Sequence, residues 1–366
     1  MSWFDTAQES VNGWLGTPQT SDAATARGGE GNATEGNNPT SLWGRIGQGV
    51  GDLGRGLSQE GLSGVLDPQG MLDRQQAQRD LSNRFQVLPD DFVGPRNHNQ
   101  VSQAEYEQIA HTYSDIRLGR GDLTMNTSEM TDQGQIDRYR SGTMNGIADM
   151  MMTTAGRSQV MGMSNNVSRD DAGAARLDGA GNEIHRHTTI RALYNDTNND
   201  SNLTNDGHAE SDYFNGNAFA DASGAGGENG AIDTTGRDRW SRDAAGARGT
   251  GTDSTIWWNP TANVGNCDRS DVILAHEMQH ALHETQGTMA SGTYTGAGPD
   301  SGTIANFEHQ AVGLPTTGTH YPGDPDGCSE NTYRAQRNQL GLGDRFLNRD
   351  DYSGTMPGQA PAPAAP

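Results

Sequence analysis

The chain of 366 residues contains no lysine: all 25 basic residues are arginine, set against 47 Asp and Glu for a net charge of -22. So acidic a surface repels phosphate and excludes nucleic acid and anionic membrane surfaces as partners. The missing lysines have two readings. One is the base composition of the lineage, although Asn, with codons equally rich in A and T, is plentiful. The other is selection inside a eukaryotic cell, where a chain without an ε-ammonium offers no side chain to ubiquitin.

Cysteine is nearly absent too, with Cys267 and Cys328 and no C-x-x-C, which excludes a cysteine zinc site and a thioredoxin-like motif. The two fit equally well a disulfide joining the stretch before His276 to that before Glu330, or two free thiols. No run approaches the ~18 apolar residues of a membrane span, and the N-terminus lacks the basic and apolar regions of a secretory signal, so export would need another route. Hydrophobic residues make up only 31% and glycine accounts for 50 positions, so much of the length cannot be densely packed core. These proportions predict one folded domain with long polar loops.

Three regions follow from the pattern. Residues 1–84 form a Gly-rich leader with two short apolar stripes, Trp3 to Leu15 and Trp43 to Leu57, around a polar linker. They read as an address for a secretion or contractile injection machine, or as two helices packed on the domain. Residues 85–351 form the domain, and residues 352–366 an extended Pro/Ala tail. Within the domain, Ser102 and Glu105 form a capping box that opens one helix. A second helix runs from Gln135 to Thr154 with a Met-rich face and ends at Gly156, and "STIWWNP" from Ser254 is a strand. "YNDTNNDSNLTNDG" from Tyr194 lacks the glycine and closing glutamate of a calcium loop and reads as a solvated loop.

The segment "DVILAHEMQHALHETQGTM" carries the chemistry. Asp271 starts a helix with an apolar face, on which His276 and His280 stand one turn apart and can share a tetrahedral metal. Glu277 leans over the open position, where it can take a proton from attacking water and pass it to a leaving amine. Position 286 is not histidine, so the metzincin extension is absent and the third ligand comes from further on. Two residues compete: Glu308 in "IANFEHQAVGL", 28 residues after His280, and Glu330 in "CSENTYRAQRNQLGL", 50 residues after.

"HEMQHALHETQGT", "NFEHQAVGL" and "SENTYRAQRNQLGL", with "MTTAGRSQVM" and "GTGTDSTIWWNP" upstream, resemble the NleD-type effector zinc metallopeptidases over Gln135 to Asp351. The resemblance implies an α+β zincin domain injected by bacteria into a target cell, where it cuts a protein; one branch of the family cuts mitogen-activated protein kinases, and related domains end polymorphic toxins. It implies one Zn2+ on His276 and His280 with Glu277 as base. By analogy with the gluzincins, Glu308 is the third ligand and Glu330 the alternative, while Tyr333 and Arg334 are candidates to stabilise the oxyanion. Arg334, four residues after Glu330 on one helix, can instead be its structural partner. Gln279 stands where the family often has a small residue, and is expected to crowd the site. Two other classes stay open: a non-catalytic docking component with a structural metal, and a metal-dependent amidase acting on peptidoglycan.

Overall fold

The computed structural model describes residues 68–192, 219–222, 238–243, 245–260, 269–318, 327–342 and 348–352. The leader's apolar stripes, the Asp196 to Asp200 loop, Cys267 and the tail after Tyr352 lie outside them.

Helix α1 (Pro68–Leu81) opens the described chain. It buries Ala77 and Leu81, four apart on one face, in the same core as the later helices. The folded body therefore begins upstream of Phe85, where the hydrophobic pattern alone set the boundary. The reason lies in how α1 is held: beyond those two residues, Arg117 pairs with Asp73 and Asp80 at 2.8 and 2.9 Å. A short parallel pair, β1 (Gln86–Val87) and β2 (Gln100–Val101), leads into α2 (Gln103–Leu118). The capping box on α2 is formed, Ser102 accepting from the Glu105 amide and Glu105 from the Ser102 amide.

After β3 (Leu123–Asn126), α3 (Gln133–Met151) is capped by Asp132 and buries Tyr139, Ile147, Met150 and Met151. The helix expected to run through to Gly156 instead restarts: Thr153 caps α4 (Thr154–Ser164) by accepting from the Gly156 amide at 3.0 Å. Strands β4 (Thr188–Arg191), β5 (Phe219–Ala222) and β6 (Ser254–Trp257) complete a four-stranded sheet of order β3-β4-β6-β5. The first three are parallel and β5 is antiparallel to β6 at the end. Met125, Ile190 and Ile256 fall in one row across it, and the two isoleucines are fully buried. Burying each contributes roughly 1.5–3 kcal/mol.

Against the sheet lies α5 (Ser270–Gln286), buried at every residue from Asp271 to Gln286. A helix enclosed all round is normally apolar, yet this one encloses Asp271, His276, Glu277, Gln279, His280, His283 and Glu284. Each such group needs a partner, which commits α5 to a specific set of neighbours. At its C-terminal end the approach is backbone to backbone: a Cβ on Gly251, at φ +73°, would sit 1.9 Å from the Thr285 carbonyl oxygen. Glycine in "GTGTD" thus permits the contact. The short α6 (Asn306–Val312) and α7 (Glu330–Gln339) also pack on α5. The fold is α+β, and no helix among the described residues is long and apolar enough to cross a membrane.

One ion network locks α7 to the start of α5. Asp271 accepts from the Tyr333 hydroxyl at 2.8 Å, Arg337 Nε at 2.7 Å and Arg269 Nε at 3.0 Å. Burial opposes ionisation of Asp271, but Arg337 and Arg269 outweigh it and hold the carboxyl below its usual value. A depressed folded value stabilises the protein above the unfolded carboxylate pKa of about 3.9, and this is lost as pH falls through the folded value. Asp271→Asn should destabilise the chain by about 3–5 kcal/mol, as expected when a buried ion pair loses one partner, and should weaken the acid dependence of stability; urea unfolding at a series of pH values checks both.

Candidate metal centre

α5 sets His276 and His280 one turn apart with their Nε2 atoms 3.0 Å from each other and the rings edge to face. Glu308 Oε2, from α6, lies 3.2 Å from His276 Nε2 and 3.1 Å from His280 Nε2. Three atoms that are lone-pair donors when the rings are neutral therefore converge, and these residues can hold a metal ion. The spacing fits the chemistry: tetrahedral ligands at 2.0–2.2 Å from a zinc-sized cation stand about 3.3 Å apart. Burial disfavours charge on His276, but Glu308 and Glu330 outweigh it and push its pKa up to about 10. A proton and a metal cation thus compete for the same atoms. Glu308 is held well below the usual range, burial being overcome by the two histidines.

Seven residues make α6 too short to hold Glu308 alone, and Ala305 provides no side-chain cap. Its side chains anchor it instead. Asn306 donates to the Ser291 and Thr317 carbonyls and accepts from the Thr317 amide. Gln310 bridges the Ala290 amide and the Thr288 carbonyl, just past the end of α5. His309 meets Asp300 at 2.9 Å and the Pro315 carbonyl at 2.8 Å.

Glu330 stands behind the cluster. Its Oε2 lies 2.8 Å from His276 Nδ1, so Nδ1 donates and the Nε2 lone pair faces Glu308 and His280. The other oxygen, Oε1, meets Arg334 Nε at 2.6 Å and Arg349 Nε at 3.2 Å. Burial would raise Glu330, but His276 and the two arginines bring it down to about 2. Of the two glutamates left open by spacing, Glu308 thus faces the lone pairs and Glu330 orients a ring.

Tyr333 and Arg334 are not at the cluster. Both are fully buried, the hydroxyl on Asp271 and the guanidinium on Glu330. They serve the α5–α7 contact, because an aromatic and a cation beside a glutamate are also what a buried helix junction with an acidic partner requires. Gln279 does not crowd the site either: its amide turns to Gln159 of α4 at 2.7 Å and to His283 at 3.1 Å. Glu277 is buried, and its charge acts on both His276 and Tyr352. Cys328 is buried.

Two residues that sequence reasoning missed complete the surroundings. Tyr352 sits with its ring 6.1 Å from that of His276, and its phenol is near enough to Glu308 for that charge to act on it. Burial and the Glu308 charge raise its pKa far above the ordinary value, so the phenol stays neutral and can donate. The Arg349 guanidinium lies 5.2 Å from the centre of that ring. Asn331 anchors this segment to α7 through two bonds with the Arg349 backbone at 2.7 and 2.9 Å. The sequence boundary put Tyr352 at the first position of the Pro/Ala tail, and the only signal there is its aromatic ring.

If Glu330 orients rather than coordinates, Glu330→Gln should weaken zinc affinity about tenfold or more, read by competition with a chromogenic chelator, while the circular dichroism spectrum is retained. Comparison with curated proteins gives no match. Among protein families, the peptidase M91 model, described as an effector protein, matches residues 126–346, more than half of the chain. That span takes in strands β4, β5 and β6, α5 with its two histidines, and both glutamates on α6 and α7. The chain belongs to the peptidase M91 family of effector proteins.

Proposed function

We propose that the chain is a zinc-dependent endopeptidase of zincin type, delivered into a target cell, where it cuts a protein. The observation that carries this reading is the convergence of His276, His280 and Glu308 within 3.2 Å of one another, beside Glu277 on the same helix. Membership in a peptidase family supports it independently.

Bound by His276, His280 and Glu308, zinc would supply Lewis acidity to water and to the scissile carbonyl. Glu277 then acts as base, taking the proton of the attacking water and returning it to the leaving amine. Tyr352 is the donor suited to the oxyanion: its neutral phenol turns to the developing charge, where a fixed donor lowers the barrier. Arg349, stacked on that ring and tied to Glu330, fixes its direction and adds positive charge. The end strand β5 packs beside α5, and an extended substrate can add to its outer edge by main-chain hydrogen bonds. The N-terminal residues, with their two apolar stripes, are the proposed address for the injection machine. The net charge of -22 and the absence of lysine are compatible with work inside a foreign cell.

Two outcomes follow. Purified protein should contain about one zinc per chain, and N-terminomics on host lysate should reveal new N-termini with the wild type that vanish with Glu277→Ala. Identical products from both chains, or none from either, contradict a peptidase and favour a structural metal or another amide as substrate. With the protein so identified as substrate, Tyr352→Phe should lower kcat about 100-fold or more with little change in KM, the cost of losing one oxyanion donor. Tyr333→Phe should lower the denaturation midpoint and leave kcat nearly unchanged.

A further inference from the structure

Asp300 belongs to no motif and lies in the loop between α5 and α6, yet its side chain is almost wholly enclosed. One oxygen, Oδ2, has two partners from distant parts of the chain: His309 Nε2 at 2.9 Å and the main-chain amide of Tyr352 at 2.6 Å. The first partner is the neighbour of Glu308 on α6. The second carries the phenol on which the Glu308 charge acts. The contacts close a ring: Asp300 to His309, along the chain to Glu308, across to the Tyr352 phenol, and from the Tyr352 amide back to Asp300.

We propose that Asp300 is a positioning residue, which sets the Tyr352 phenol and the Glu308 carboxylate in register with each other by binding the backbone behind one and the side chain next to the other. Its role in a reaction rests on the peptidase reading given above; its geometry does not. Three features make the role specific. Tyr352 cannot be held by its own element, since residues 348–352 form neither helix nor strand. Asn331 fixes the Arg349 backbone, three residues away, and Asp300 holds the residue that matters. On the α6 side, His309 is kept in place by stacking on Tyr294 at 4.0 Å and by the Pro315 carbonyl, so Asp300 is bound to a fixed support. A carboxylate suits the task because one oxygen can face both partners at once.

The test uses the full chain without added metal and needs no substrate, so its failure is separate from failure of the peptidase reading. Tyrosine nitration by tetranitromethane, located by mass spectrometry, reports access to the Tyr352 phenol, and hydrogen exchange reports its amide. In Asp300→Ala both rates at Tyr352 should rise about tenfold or more, the equivalent of one charge-assisted bond. Nitration of Tyr333 and exchange in α5 should stay as in the wild type. Asp300→Asn, which keeps an oxygen acceptor and the side-chain volume, should restore most of the protection. Unchanged rates at Tyr352 overturn the proposal. So does a parallel rise across α5 and Tyr333, or failure of both variants to fold, because either makes Asp300 a general support of the core.

Discussion

The bond from His276 Nδ1 to Glu330 joins the two halves of the molecule on which the site depends. On one side is a helix buried at nearly every residue, packed against a four-stranded sheet and carrying two histidines whose Nε2 atoms lie 3.0 Å apart. On the other is α7, whose first residue holds one of those rings and whose later residues, Tyr333 and Arg337, grip Asp271 at the start of α5. Both contacts run between the same two helices, so the ring orientation is set by the same packing that stabilises the core. A helix that buries so many polar groups is costly unless each is paired. The bond at Nδ1 leaves Nε2 of His276 directed at Glu308.

The rest of the site is held mainly by hydrogen bonds. α6 reaches the cluster through the side chains of Asn306, His309 and Gln310, which hold backbone on either side of it. The segment carrying Arg349 and Tyr352 is fastened to α7 by Asn331 and to the loop before α6 by Asp300. Glu308, Glu330, Arg349 and Tyr352 therefore form one electrostatic unit, in which two carboxylates face two histidines and a guanidinium lies between one carboxylate and the phenol. In this unit the two carboxylates hold the pKa of His276 up at about 10 against its burial.

How much of this was legible in the sequence depended on the range of the interactions. The capping box of Ser102 and Glu105, the helix under "HEMQH" and the strand at "STIWW" are written in neighbouring residues, and each stands as an element. The choice between Glu308 and Glu330 was not written there, since both are carboxylates on short helices and only the tertiary packing says which faces Nε2 and which Nδ1. Tyr333 and Arg334 looked suited to an oxyanion for the same chemical reasons that suit them to a buried junction with Asp271 and Glu330. Tyr352 was hidden by its separation from Glu308, which leaves no periodicity to detect. α1 was passed over because it adds just Ala77 and Leu81 to the core and is otherwise held through Asp73 and Asp80, and hydrophobic pattern does not register ion pairs.

The central claim is a division of labour between two glutamates, one at the metal and one behind a histidine. A crystal structure of the zinc-loaded chain, with the ion located by anomalous scattering at its absorption edge, tests it most directly. The account predicts zinc bound by His276 Nε2, His280 Nε2 and Glu308, with Glu330 still hydrogen-bonded to His276 Nδ1. Zinc coordinated by Glu330, or bound away from His276 and His280, would contradict it.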